Sequence, residues 1–219
     1  MKSLEESQYH CFGRIMEREE IVNRIVDLEY EMFDATNNVG GRASCQDNRP
    51  TFEIMRRAQF SAWDEATLNS YLADIETEKS KKGNLVTLKY AYMMKYTDPE
   101  KYKEFENVLP KISAKKEELV DELIKINNAW GIEFSGQYPN VASRGRRNTK
   151  EEERGMYPSV ETYARGEMLT YSEETLTHLL NLYKDEFAKG DNLRTKTVET
   201  EMKMYGYESL DDVEASLAK

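Results

Sequence analysis

Large apolar residues recur three and four positions apart through most of this chain, and that spacing limits it to a helical fold. Ile21, Ile25, Leu28 and Met32 predict a helix over about residues 14 to 35. In "SAKKEELVDELIKINNAW", Leu119, Leu123, Ile126 and Trp130 form a second apolar face. Between them, Pro50 suits the first turn of a helix through "TFEIMRRAQFSAW", with Phe52, Met55, Gln59 and Trp63 on one side. Asp64 is a good N-cap for "EATLNSYLADIETEKSKK", which Gly83 is expected to end. "NLVTLKYAYMMKY" is ambiguous. Leu85, Leu88, Tyr92 and Tyr96 fit a helix, while the β-branched and aromatic content would suit a strand; its length and the Asp98-Pro99 restart favour helix.

Residues 131 to 158 show no sustained period and read as a long irregular segment, of the kind that is usually functional. "SVETYARGEMLTYSEETLTHLLNLYKDEFAKG" then reads as two helices, with Ser172 capping the second and Gly190 closing it. The segments after residue 191 look helical and peripheral. The expectation is one all-α domain over residues 1–219, a bundle of about seven to nine helices. At 219 residues such a chain buries roughly 70% of its unfolded surface, so its core needs no disulfide or metal.

Composition narrows the function. A net charge of −10 argues against nucleic acid as a partner, because phosphate contacts need a basic footprint. No run approaches the ~20 apolar residues of a membrane span, and "MKSLEESQYH" lacks the apolar core of a signal peptide. Two cysteines, Cys11 and Cys45, do not make a disulfide scaffold; together these features suggest a cytoplasmic protein. His10 and His178 are poorly placed for catalysis, so histidine-based zinc sites and Ser-His-Asp hydrolysis lack support. No phosphate-cradling or dinucleotide fingerprint is present.

Three constellations remain. The loop "NNVGGRASCQD" offers Asn38, Gly40 and Gly41 for close backbone approach, and Arg42 as a fork for a carboxylate or phosphate. It also offers Cys45 as a candidate nucleophile, Gln46 as an amide and Asp47 as a general acid or base. Arg56 and Gln59 lie one turn apart on the following helix and could face the same pocket. The plain alternative is a helix–helix turn in which Asp47 caps the next helix and Arg42 pairs with a surface carboxylate. In "ETYARGEMLTYS", Glu161 and Arg165 are four apart, as are Tyr163 and Glu167, with Tyr171 continuing that face. This stripe could bind a ligand or transfer protons, or it could be packing. In "SRGRRNTKEEER", Arg144, Arg146 and Arg147 could grip an anion, although Glu151, Glu152 and Glu153 follow closely. Glu29, Asp47, Glu161 and Glu167 could together ligate a metal from separate helices, but the Glu-x-x-His motif of di-iron bundles is missing.

"NNVGGRASCQD", "TFEIMRRAQFSAW", "NLVTLKYAYMMKYTDPEKY" and "ETYARGEMLTYSEETL" resemble segments of a bacterial family of unknown function, number 4125 in its series, over about residues 19 to 183. Tyr30 departs from it, standing where tryptophan is more usual. The resemblance implies no activity, but its polar motifs imply that the first loop and the "ETYARGE" helix share a pocket. The expected function is therefore a pocket for an anionic or zwitterionic small molecule. Arg42, Arg56 and Arg165 would bind it, and Asp47, Glu161 or Glu167 with Tyr163 or Tyr171 would supply acid–base chemistry. No cofactor is expected. The alternatives are a non-catalytic ligand-sensing or protein-interaction module and a carboxylate-bound metal enzyme, and a homo-oligomer is left open.

Overall fold

The computed structural model describes residues 16–37, 41–153 and 157–218. Among them are eleven α-helices and no strand: α1 (Arg18–Asp34), α2 (Arg49–Ser61), α3 (Glu65–Ser80), α4 (Leu85–Thr97), α5 (Pro99–Phe105), α6 (Ala114–Gln137), α7 (Pro139–Arg144), α8 (Val160–Met168), α9 (Glu173–Lys189), α10 (Leu193–Met204) and α11 (Leu210–Leu217). The number exceeds the expected seven to nine, chiefly because short helices such as α5 and α7 lack the length to display a period.

Several boundaries follow from local chemistry. Asp64, Ser159 and Ser172 each accept a hydrogen bond from the backbone N–H three residues on and so cap α3, α8 and α9. Gly190 ends α9 in the left-handed conformation at φ 78°. At the end of α3 it is Lys82, not Gly83, that adopts positive φ (61°). α4 is helical throughout, which resolves the ambiguity of "NLVTLKYAYMMKY".

The expected irregular segment over 131–158 is a correction. α6 runs through Gly131 to Gln137 and α7 follows immediately. The helical period is hard to see there because Ile132 is exposed while Gly131 and Phe134 are buried. Gly131 serves an approach: Asn148 donates to its carbonyl at 3.1 Å, and a Cβ on Gly131 would lie 3.0 Å from the Asn148 side chain.

The main core joins α1, α3, α6 and α9 around Ile25, Leu28, Leu68, Ile75, Leu123 and Leu176, all fully buried. Each such side chain contributes up to about 1.5–3 kcal/mol of burial. A smaller cluster of Phe134, Tyr138, Val198 and Leu210 joins α6, α10 and α11. α10, expected at the periphery, packs against both α2 and α6. At the site, α4 and α8 pack closely against each other. A Cβ on Gly166 would meet Met93 Cγ at 2.5 Å and the Lys89 carbonyl at 3.0 Å, so glycine lets the two backbones come together. No described helix is long and apolar enough to cross a membrane.

Candidate functional site

A cavity of about 880 Å³ opens between α1, α2, α4, α6, α8 and α10. Its walls carry Phe33, Phe52, Trp63, Trp130 and Tyr183. Four charged side chains from four helices meet at its floor. Ile25, Leu28 and Met32 fix the buried face of α1, and Glu29 lies on that face, 4% exposed. α2 contributes Arg56 and Gln59, α4 contributes Lys89, and α8 contributes Glu167.

Arg56 clamps Glu29 with both arms of its fork: Nε donates to Oε2 at 2.6 Å and Nη2 to Oε1 at 2.5 Å. Its Nη1 donates to Gln59 Oε1 at 2.8 Å and to Glu167 Oε1 at 3.1 Å. Glu167 also accepts from Gln59 at 3.2 Å, from the Tyr171 hydroxyl at 2.7 Å and from Lys89 at 2.5 Å. Tyr71 donates to Glu29 at 2.5 Å, and its ring packs 4.7 Å from that of Tyr171. Two carboxylates and two cations thus form a neutral, hydrogen-bonded cluster, which is how charges persist in a low-dielectric interior.

The protonation states follow. Burial alone would raise the Glu167 carboxyl, but Arg56 and then Lys89 outweigh it and hold the group well below the usual carboxylate range. Burial opposes the charge on Arg56 as well, and Glu167 and Glu29 reverse that effect, so its guanidinium stays charged. Burial, reinforced by the neighbouring carboxylates, pushes Tyr71 and Tyr171 far up, so both keep their protons and act as hydrogen-bond donors.

Nearer the rim, Arg146 lies 4.2 Å over the ring of Tyr163 and donates to its hydroxyl at 3.1 Å. Tyr90 meets the same ring edge-on at 6.4 Å, and burial raises its hydroxyl above the ordinary value. On α10, Arg194 and Glu201 also line the cavity.

The first loop divides. Cys45, a free and exposed thiol, lines the cavity. Arg42 points away: it is half-exposed and pairs with Asp34 at 2.5 Å and Asp47 at 2.7 Å. Gln46 turns inward, but toward α1. Its Nε2 donates to the carbonyls of Phe33 (2.8 Å) and Thr36 (2.9 Å), and its Oε1 accepts from the Ala43 N–H at 2.9 Å. Gln46 therefore satisfies carbonyls that the end of α1 leaves open. The Tyr30 hydroxyl donates to the Gln46 carbonyl at 3.0 Å, tying α1 to the loop. The cap of α2 is Asn48 rather than Asp47. Gly41 has φ 89°, and nothing approaches within 4 Å of where a Cβ would stand. Asn38 and Gly40 lie outside the described residues.

The "ETYARGE" helix divides in the same way. Tyr163 and Glu167 face the cavity and Tyr171 supports the floor. Glu161 is buried elsewhere, accepting from Asn128 at 3.0 Å, and Arg165 pairs with Asp121 at 2.7 Å. Arg42, Asp47, Glu161 and Arg165 are therefore not brought together with Arg56. The four-carboxylate ligand set does not assemble either: Glu29 and Glu167 share Arg56, while Asp47 and Glu161 have other partners. Among the described residues no three His, Cys, Asp or Glu side chains are grouped so as to hold a metal ion.

Sequence reasoning passed over Lys89, Tyr71, Arg194 and Glu201, and weighed Glu29 only as a metal ligand. One signal was available. Lys89 is a lone charge among Leu85, Val86, Leu88 and Tyr92, and a charge inside an apolar helical run needs a buried partner.

A family described as "Protein of unknown function (DUF4125)" matches residues 19–215, and the chain belongs to that family. The match continues past Tyr183, through α10 and into α11. Neither the curated proteins nor the solved structures contain a match.

Proposed function

We infer that the cavity binds a small anionic molecule with an apolar body. The observation that carries this reading is the cavity's charge inventory. In a chain of net charge −10, its lining holds Arg56, Lys89, Arg146 and Arg194 against Glu29, Glu167 and Glu201, an excess of cations. Glu29 and Glu167 are already engaged by Arg56 and Lys89. A volume of about 880 Å³ falls within the roughly 300–1,000 Å³ of small-molecule sites. Aromatic and aliphatic walls favour a ligand with apolar surface, and the cations favour an acidic group on it.

The same features support binding over proton transfer. Glu167, held ionised by two cations, is a weak base, and Tyr71 and Tyr171 retain their protons. The rigid floor instead sets the shape and field of the pocket.

The chain's two tryptophans, Trp63 and Trp130, both line the cavity, so intrinsic fluorescence reports on its occupancy. Titration with octanoate is expected to give a saturable change in tryptophan emission. Ala164→Phe, which adds a ring within the cavity lining, weakens that binding at least tenfold. An unsaturable response, or one that Ala164→Phe leaves unchanged, removes the proposal.

A further inference from the structure

Of the four cations that line the cavity, three have partners. Arg56 is held by Glu29 and Glu167, Lys89 by Glu167, and Arg146 donates to the Pro158 carbonyl and the Tyr163 hydroxyl. Arg194 differs. Its Nε–H is buried with no hydrogen-bond partner although the residue as a whole is only partly buried, and none of the salt bridges among the described residues involves it. The half-buried Arg165, by contrast, is met by Asp121. The guanidinium of Arg194 lies 5.8 Å from the Phe134 ring centroid, a weak contact for a partly desolvated cation. Burial pushes it below its ordinary value, with Glu201 and Tyr183 only partly compensating.

Nearby wall residues suit a ligand held at that point. Trp130, Tyr183, Leu193 and Val198 present apolar surface beside Arg194, and Thr197, one turn along α10, adds a hydroxyl. Glu201, two turns from Arg194, is itself pushed up by burial, so it too is poorly solvated. A buried donor without an acceptor lowers the stability of the free protein, and a ligand oxyanion would supply the missing acceptors in the bidentate geometry that guanidinium favours.

We propose that Arg194 anchors the acidic group of the cavity's ligand, a terminal carboxylate or phosphate carried on an apolar body. This rests on the reading of the cavity as a binding site and adds which end of it the acid occupies.

The test is calorimetric titration of octanoate, octyl phosphate and 1-octanol into the wild-type chain, Arg194→Met and Arg146→Met. The wild type is expected to bind the acids at least tenfold more tightly than the alcohol, and the stronger of the two acids identifies the head group. Arg194→Met abolishes that preference while leaving 1-octanol binding unchanged, and Arg146→Met retains it. The ligand-free Arg194→Met protein unfolds at the wild-type temperature or above, because a partly buried cation with an unsatisfied Nε–H has been removed. If Arg194→Met does not fold, Arg194→Gln is read by the same preference. A preference that survives loss of Arg194 overturns the proposal; if it is lost in Arg146→Met instead, the acid sits at the rim and the cavity reading stands. Absence of binding by all three ligands removes the cavity reading itself.

Discussion

Arg42 and Arg56 make the same kind of arrangement, one guanidinium between two carboxylates. Arg42 does so on a half-exposed loop with Asp34 and Asp47, and Arg56 does so at the floor of a cavity with Glu29 and Glu167. Water solvates every member of the first trio, so separating them costs little and salt screens what remains. In the second trio, burial removes water from all the charges, and each depends on the others and on Gln59, Lys89, Tyr71 and Tyr171. The contrast shows that an arginine's pairing pattern does not reveal its role. The medium around the pair decides whether the geometry is held rigidly enough to shape a site.

The comparison can be broken most forcefully at Arg56. Arg56→Met leaves Glu29 without a paired cation and Glu167 with Lys89 alone, and is expected to cost about 3–5 kcal/mol in urea unfolding; a loss no larger than that of Arg42→Ala would erase the distinction. Next comes acid. The Glu167 carboxyl is ionised in the folded state far below its ordinary value of 4.5, so its contribution is complete above that value. That contribution is withdrawn as pH falls from there toward the lower folded value, because the unfolded chain takes up the proton first. Stability measured from pH 7 to pH 3 should therefore fall more steeply for the wild type than for Glu167→Gln.

Smaller effects belong to the loop. Gln46→Ala leaves the carbonyls of Phe33 and Thr36 without their side-chain donor and is expected to cost about 1–3 kcal/mol. Octanoate affinity should not change, since Gln46 is not among the residues lining the cavity. Arg42→Ala should shift the urea midpoint by no more than the scatter between preparations and leave octanoate affinity unaltered.

Much of the helical frame was legible in the sequence because Ile25, Leu28, Leu123 and their neighbours repeat with the period of the helix they occupy. The reach of α6 beyond Trp130 was not, since Gly131, which lies against Asn148, and the exposed Ile132 interrupt the pattern. At the site, Arg56, Gln59 and Glu167 could be picked out by residue type and one-turn spacing. Their partner Glu29 and the distant Lys89 come from other helices, and no local spacing reports which helices will cross. The GGRASCQD loop attracted notice for its chemistry, yet Arg42, Gln46 and Asp47 hold the loop to itself and to the end of α1. Sequence could not separate those roles, because an arginine or a glutamine suits an inner wall as well as an outer turn.

The central claim, that the cavity floored by Arg56 is where a ligand binds, is tested most directly by methionine methyl NMR during an octanoate titration. Met32, Met55 and Met168 line the cavity, whereas Met93 packs beside Gly166 and Met204 is exposed at the end of α10. Saturable shifts of the Met32, Met55 and Met168 methyls, with Met204 unmoved, are predicted. Shifts centred on Met204, or none at any of the cavity methionines, would contradict it.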